Sequence, residues 1–140
     1  MTETTAAAAP RLELRDVSKR FPGVLANDSV DLNVAPGEIH ALLGENGAGM
    51  STLVKIIYGV LHADEGEMLW QGKPVKVADP HAARNLGVGM VFQHFSLFEA
   101  MTVLENIALG VEKVSDMKAL AERVLKAIER LTREIKGEAA

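Results

Sequence analysis

The sequence predicts an α/β fold with antiparallel strands on its N-terminal side and a long amphipathic helix at its C-terminal end. Three observations carry this. Apolar and polar residues alternate in the first part of the chain. A glycine-rich turn, GENGAGMST at residues 44 to 52, divides a short apolar run from a segment of helical period. The last stretch repeats apolar residues at three- and four-residue steps without an internal Gly or Pro.

The strand elements come first. Residues 11 to 17, RLELRDV, alternate and predict a half-buried strand, and residues 30 to 34, VDLNV, alternate again. Pro36-Gly37 marks a turn. Residues 39 to 43, IHALL, form an apolar run ending at Gly44 and predict a buried strand that feeds the glycine turn. From Ser51 the period changes: Leu53, Ile56, Ile57 and Val60 fall at helical spacing, and Gly59 with the ADEG run ends the helix. Residues 67 to 77 predict a hairpin, MLW against VKV, turning at Gly72-Lys73-Pro74. Asp79 followed by Pro80 opens a helix reaching about Leu86. Residues 88 to 92, VGMVF, predict another buried strand with Gln93 at its end, and Thr102 caps a short helix that Gly110 stops. From Ser115, the stripe Met117, Leu120, Val124, Ile128, Leu131 and Ile135 predicts a helix of roughly twenty residues, with Glu122–Lys126 and Glu129–Arg133 as supporting pairs.

Composition narrows the function classes. The chain has 140 residues, 48% apolar and 24% charged, the profile of one soluble globular domain. A net charge of −4 gives no support to nucleic-acid binding. No cysteine is present, which excludes disulfides and thiolate metal sites, and the four histidines show no ligand spacing. No apolar run approaches membrane-spanning length. The opening MTETTAAAAP lacks the basic start and leucine-rich core of a signal peptide, and residues 1 to 10 are expected to form a disordered tail.

The chemistry lies in the turn. Its spacing is that of a phosphate-cradling loop, G-x-x-x-x-G-K-[ST], in a strand–turn–helix context. Gly44, Gly47 and Gly49 admit backbone conformations closed to other residues, so the amides from Gly44 through Glu45, Asn46, Gly47, Ala48 and Gly49 can turn inward onto phosphate oxygens. The helix after it directs its positive end to the same place. Ser51 stands where a hydroxyl would ligate Mg²⁺, with Thr52 beside it. The one departure is Met50, in the position of the lysine that reaches the β- and γ-phosphates. A thioether fills the space without the charge, so ATP binding is expected to weaken by roughly ten- to a hundredfold.

GENGAGMST followed by LVKIIYG, with GVGMVFQHFSLFEAMTVLENIALG further on, resembles the ATP-binding subunit of an ABC transporter, from about Leu12 to Gly110. The resemblance implies a partial P-loop NTPase fold, with residues 11 to 110 forming the N-terminal part of a nucleotide-binding domain and residues 111 to 140 a linker and amphipathic helix. It implies that Phe21, in SKRFPGV, stacks on adenine, a core phenylalanine being the alternative. It also implies that Gln93 contacts Mg²⁺ or the attacking water and that the segment after it touches membrane subunits. The segment DPHAARNLGVGMVFQHF is similar to importers of simple sugars and nucleosides. ATP and Mg²⁺ are then the implied ligands, membrane subunits and a second nucleotide-binding domain the implied partners, and the inner face of the cell membrane the implied location.

Several parts of that family's machinery have no counterpart. The signature loop LSGGQ does not occur, and no apolar run ends in Asp-Glu; Asp64-Glu65 lies in a turn. His94, beside Gln93, is not a switch histidine. Hydrolysis is therefore not expected from the chain as written. The competing reading is a non-catalytic interaction module, or an engineered piece on the same scaffold. The C-terminal helix is open to four readings: a solvent-facing amphipathic helix packed on the core, a cover for apolar surface, a helical arm, or a graft.

Overall fold

The computed structural model describes residues 9–45, 47–92, 97–111 and 113–137. The expected tail, over residues 1–8, lies outside the described residues, as do Asn46, Gln93 and the tract 94–96. Internal contacts divide the chain into two units, Met1–Val91 and Phe92–Ala140.

The first unit is built on a four-stranded antiparallel sheet in the order β2-β1-β3-β4. Strand β1 spans Leu12–Phe21 and β2 spans Val24–Val34, both longer than the sequence predicts. Pro22 and Gly23 join them. Proline presets the φ of the first central turn position, and Gly23, at φ 75°, supplies the positive φ of the second. Three register shifts interrupt their pairing. Leu14↔Leu32 is followed by Val17↔Val30, which places an extra residue in β1; Lys19↔Asn27 and then Arg20↔Leu25 follow, each of which places one in β2. The first two are held by side chains. Asp16, at φ 50°, donates its N–H to Asp31 Oδ1 at 2.9 Å, and Ser29, at φ 45°, donates its N–H to Ser18 Oγ at 2.9 Å.

Strand β3 spans Glu65–Trp70 and β4 spans Lys73–Val75. They pair as Met68↔Val75 and Trp70↔Lys73, so the hairpin turns at Gln71-Gly72, one residue earlier than expected. Both turn residues have positive φ, 52° and 77°, the requirement of the tight turn that matches strand twist. Helix α1 spans Met50–Ile57 and α2 spans Pro80–Leu86. The start of α2 is as expected: Asp79 accepts the Ala82 N–H at 2.8 Å, and Pro80 follows it. Leu14 and Val17 of the sheet, Leu53 and Ile56 of α1, Met68, Val77 and Ala83 form the core. One edge of that core is open, as a cleft of about 300 Å³ lined by Leu14, Val17, Ile56, Leu61, Met68 and Val77.

Two expected strands do not form. Residues 39–43 and 88–92 lie outside any strand, with Ile39 99% and Val91 87% exposed. An apolar run becomes a buried strand only when neighbours accept its backbone hydrogen bonds. The four strands of the sheet pair only with each other, which leaves these runs without a ladder.

The second unit contains α3, Val103–Leu109, and α4, Met117–Lys136. Thr102 and Glu105 form a capping box at the start of α3, with Glu105 N–H donating to Thr102 Oγ1 at 3.2 Å and Thr102 N–H to Glu105 at 2.7 Å. Asp116 caps α4, and Gly137, at φ 69°, ends it. Of the predicted stripe, Leu120 is buried, whereas Ile128, Leu131 and Ile135 remain exposed. No described helix is long and apolar enough to cross a membrane.

Candidate functional site

The glycine turn folds into a loop that closes on itself. Ala48 N–H donates to the Glu45 carbonyl at 3.0 Å. Gly47 and Gly49 have φ of 87° and 80°, and Ala48 between them has none of this left-handed character. Alternation of this kind turns successive amides to one side, the arrangement that collects an anion. Helix α1 starts directly afterwards, at Met50. A helix leaves its first amides without intrahelical partners, and Gly49 at its N-cap has no side chain to occupy them. The amides of Met50, Ser51 and Thr52 therefore stand at the positive end of α1.

Met50 lies across the start of this loop. A Cβ added to Gly44 would sit 3.3 Å from Met50 Sδ and 3.0 Å from the Ala48 Cβ, so a side chain there would crowd both. The thioether thus folds back over the loop's first residue. The Ser51 side chain is exposed, and that of Thr52 is half-buried. As a cradle for phosphate the main chain fits; as the clasp on the β- and γ-phosphates, the neutral Met50 does not.

The first unit supplies a support for the loop that sequence reading missed. Gly49 packs against β2, where an added Cβ would stand 2.0 Å from the Ala26 carbonyl oxygen, and its left-handed φ independently demands glycine. Next to it, Asn27 is 5% exposed and donates from Nδ2 to the Gly49 carbonyl at 3.2 Å. Asn27 Oδ1 has no partner. The only sequence signal would have been parity: counted back from Val30 across a bulge at Ser29, Asn27 falls on the covered face.

Phe21 ends β1 and is 39% exposed, which sets aside a core role. It pairs with Val24, three residues before Asn27, so by strand rise about 10 Å of chain separates the aromatic end of the hairpin from the loop contact. Lys19 Nζ sits 5.5 Å from the Phe21 ring centroid and pairs with Asp64 at 2.9 Å. Asp64 also accepts the Arg20 N–H at 2.7 Å, and these bonds, the backbone one foremost, hold its carboxyl below the usual aspartate range. Asp64 is thus bound to β1, and Glu65 pairs with Arg20 at 2.9 Å. Among the described residues no cluster of His, Asp and Glu could hold a metal ion. Asn46 and Gln93, both expected at the site, lie outside those residues.

A glycine loop heading a helix, beside an antiparallel sheet, defines a partial P-loop NTPase domain of the α/β class. The ABC transporter family model matches residues 27–138, and the chain belongs to that family. It is 47% identical to the ribose import ATP-binding protein RbsA 1 of Rubrobacter xylanophilus, over 87% of this chain and 25% of that protein. It is 49% identical to the nucleoside import ATP-binding protein NupA of Lactococcus lactis, over 85% of this chain and 24% of that one. It is 50% identical to the guanosine import ATP-binding protein NupO of Bacillus subtilis, over 72% and 20%. The chain therefore spans about a quarter of the length of these relatives or less. Among solved structures, a nucleotide-free ATP-binding cassette from an ABC transporter superposes with a TM-score of 0.68 at 32% identity, covering 76% of this chain and 42% of that one. The cassette MJ1267 gives a TM-score of 0.74 at 26% identity, covering 94% and 59%. Family membership implies nucleotide binding.

Proposed function

We propose that the chain is the N-terminal, ATP-binding segment of an importer ATPase for simple sugars or nucleosides, and that as written it binds ATP weakly and does not hydrolyse it. The observation that carries the reading is the loop itself, with left-handed glycines at 47 and 49, an uncapped α1 behind them, and Met50 where a cation is needed. In this reading the amides of residues 44 to 52 cup the phosphates and the Ser51 hydroxyl holds Mg²⁺. Phe21, presented by the β1–β2 turn, packs on adenine, and Gln93 faces the metal or the attacking water. Bound ATP would supply the phosphoanhydride whose cleavage drives transport. Met50 leaves the developing charge on the γ-phosphate uncompensated, and residues 1–140 contain neither LSGGQ nor an apolar run ending in Asp-Glu to supply further transition-state partners.

The partners in this reading are membrane subunits, reached through the segment after Gln93, and a second nucleotide-binding domain. They place the chain at the inner face of the cell membrane. Residues 11–110 act as the nucleotide-binding part and 111–140 as a linker and helix. Phosphate release from ATP·Mg²⁺ is the test. The expected rate does not exceed the buffer background, and turnover that survives stringent purification yet disappears in Ser51→Ala would overturn the inactive reading.

A further inference from the structure

We propose that Asn27 is a positioning residue for the phosphate loop, acting through the Gly49–Met50 peptide; the inference deepens the nucleotide-loop reading above and rests on it. Three observations converge on this one bond. Asn27 is almost fully buried, and its Nδ2 donates to the Gly49 carbonyl at 3.2 Å. That carbonyl also accepts the Leu53 N–H at 2.9 Å, the first hydrogen bond of α1. The main chain of Gly49 is pressed onto the neighbouring Ala26 carbonyl, which leaves no room for a Cβ.

A planar trans peptide points its C=O and its N–H in opposite directions. Fixing the Gly49 oxygen toward β2 and into the helix therefore fixes the Met50 N–H away from β2, on the face where the loop gathers its amides. Without Asn27 the Leu53 bond alone would hold that peptide, and first-turn helix bonds fray readily. The side chain does this at a disadvantage to stability. Its Oδ1 is buried with no donor, and a leucine of similar volume would bury apolar surface there without an orphaned acceptor. An amide kept in such a place, with its donor half on the loop, serves the loop rather than the core.

The experiment compares the native chain with Asn27→Leu and with the isosteric Asn27→Asp, which keeps the shape and loses the donor. Amide hydrogen exchange followed by NMR is the first readout. The Leu53 amide should exchange about tenfold faster in both variants, while amides of the β1–β3 ladder, such as Leu14 and Met68, keep their protection and Asn27→Leu melts no lower than the native chain. Unchanged exchange at Leu53 in either folded variant, or a uniform rise across the sheet, would overturn the proposal. If Asn27→Leu does not fold, Asn27→Asp decides by the same criterion. The second readout is ATP·Mg²⁺ affinity in a Met50→Lys background, expected to fall about tenfold when Asn27→Leu is added. Full affinity despite a loosened Leu53 amide would also overturn the proposal. No ATP binding by Met50→Lys, with the Leu53 amide loosened as expected, would refute the nucleotide reading and leave Asn27 supported as the anchor of the turn.

Discussion

Replacing Met50 by lysine isolates the missing charge. The Met50 side chain folds back over Gly44, with Sδ 3.3 Å from where a Cβ on that glycine would lie. A lysine stem can follow the same course, because Gly44 offers no Cβ to block it, and its ammonium extends one atom further. Two unit charges 4 Å apart interact by about 4 kcal/mol at an effective dielectric of about 20. The loop is open to solvent at Gly47 and Ala48, so water and salt reduce this to the range of a hydrogen bond to a charged group, about 1.5–3 kcal/mol. At about 1.4 kcal/mol per decade, Met50→Lys should tighten ATP·Mg²⁺ binding by about ten- to a hundredfold. Isothermal titration calorimetry at two salt concentrations measures it, and the gain should shrink at the higher one. Met50→Gln, similar in reach and neutral, should gain little. Lysine and methionine have near-equal helix propensity, so stability should change by less than about 0.5 kcal/mol. An equal gain from glutamine, or no gain from lysine in a chain that is still folded, would refute the electrostatic argument.

Gly49→Ala should destabilise the first unit by about 1–3 kcal/mol in urea unfolding, since the added methyl meets the Ala26 carbonyl and the left-handed φ is no longer free; a change below 0.5 kcal/mol would show that the loop does not dock on β2 as described. Asp79→Ala removes the cap on the Ala82 N–H and should cost about 1 kcal/mol by the same assay. Asp64 has a folded-state pKa below the ordinary 3.8, from the Arg20 N–H first and Lys19 second. Its contribution to stability is therefore present above that ordinary value and lost as pH falls through the lower folded one. The stability of Asp64→Asn should accordingly fall less steeply than that of the native chain as the pH is lowered below about 4, measured by urea midpoints across that range; parallel slopes would contradict the assignment.

Local chemistry was legible in the sequence, and pairing was not. The helices α2, α3 and α4 were readable because their caps are local: Asp79-Pro80, Thr102 with Gly110, and an apolar stripe without breakers. The loop was readable because Gly47 and Gly49 sit where positive φ is required. Residues 39–43 and 88–92 were assigned as strands on apolarity alone, but a strand depends on partners elsewhere in the chain, and the sheet offers them none. The β3–β4 turn was misplaced by one residue because Gln71, which carries a positive φ, has no turn signature in the sequence. Asn27 was invisible because its facing depends on a bulge that no residue type announces.

That bulge makes chain length, rather than side-chain identity, the determinant of what meets the glycine turn. Strand residues alternate in facing, so one residue more beside Ser29, with the bulge kept, would reverse every position toward the hairpin tip. Asp28, one step along, would then occupy the place of Asn27. A carboxylate would meet the Gly49 carbonyl where an amide now donates, and a one-codon insertion beside a surface serine would repel the turn that the intact strand holds.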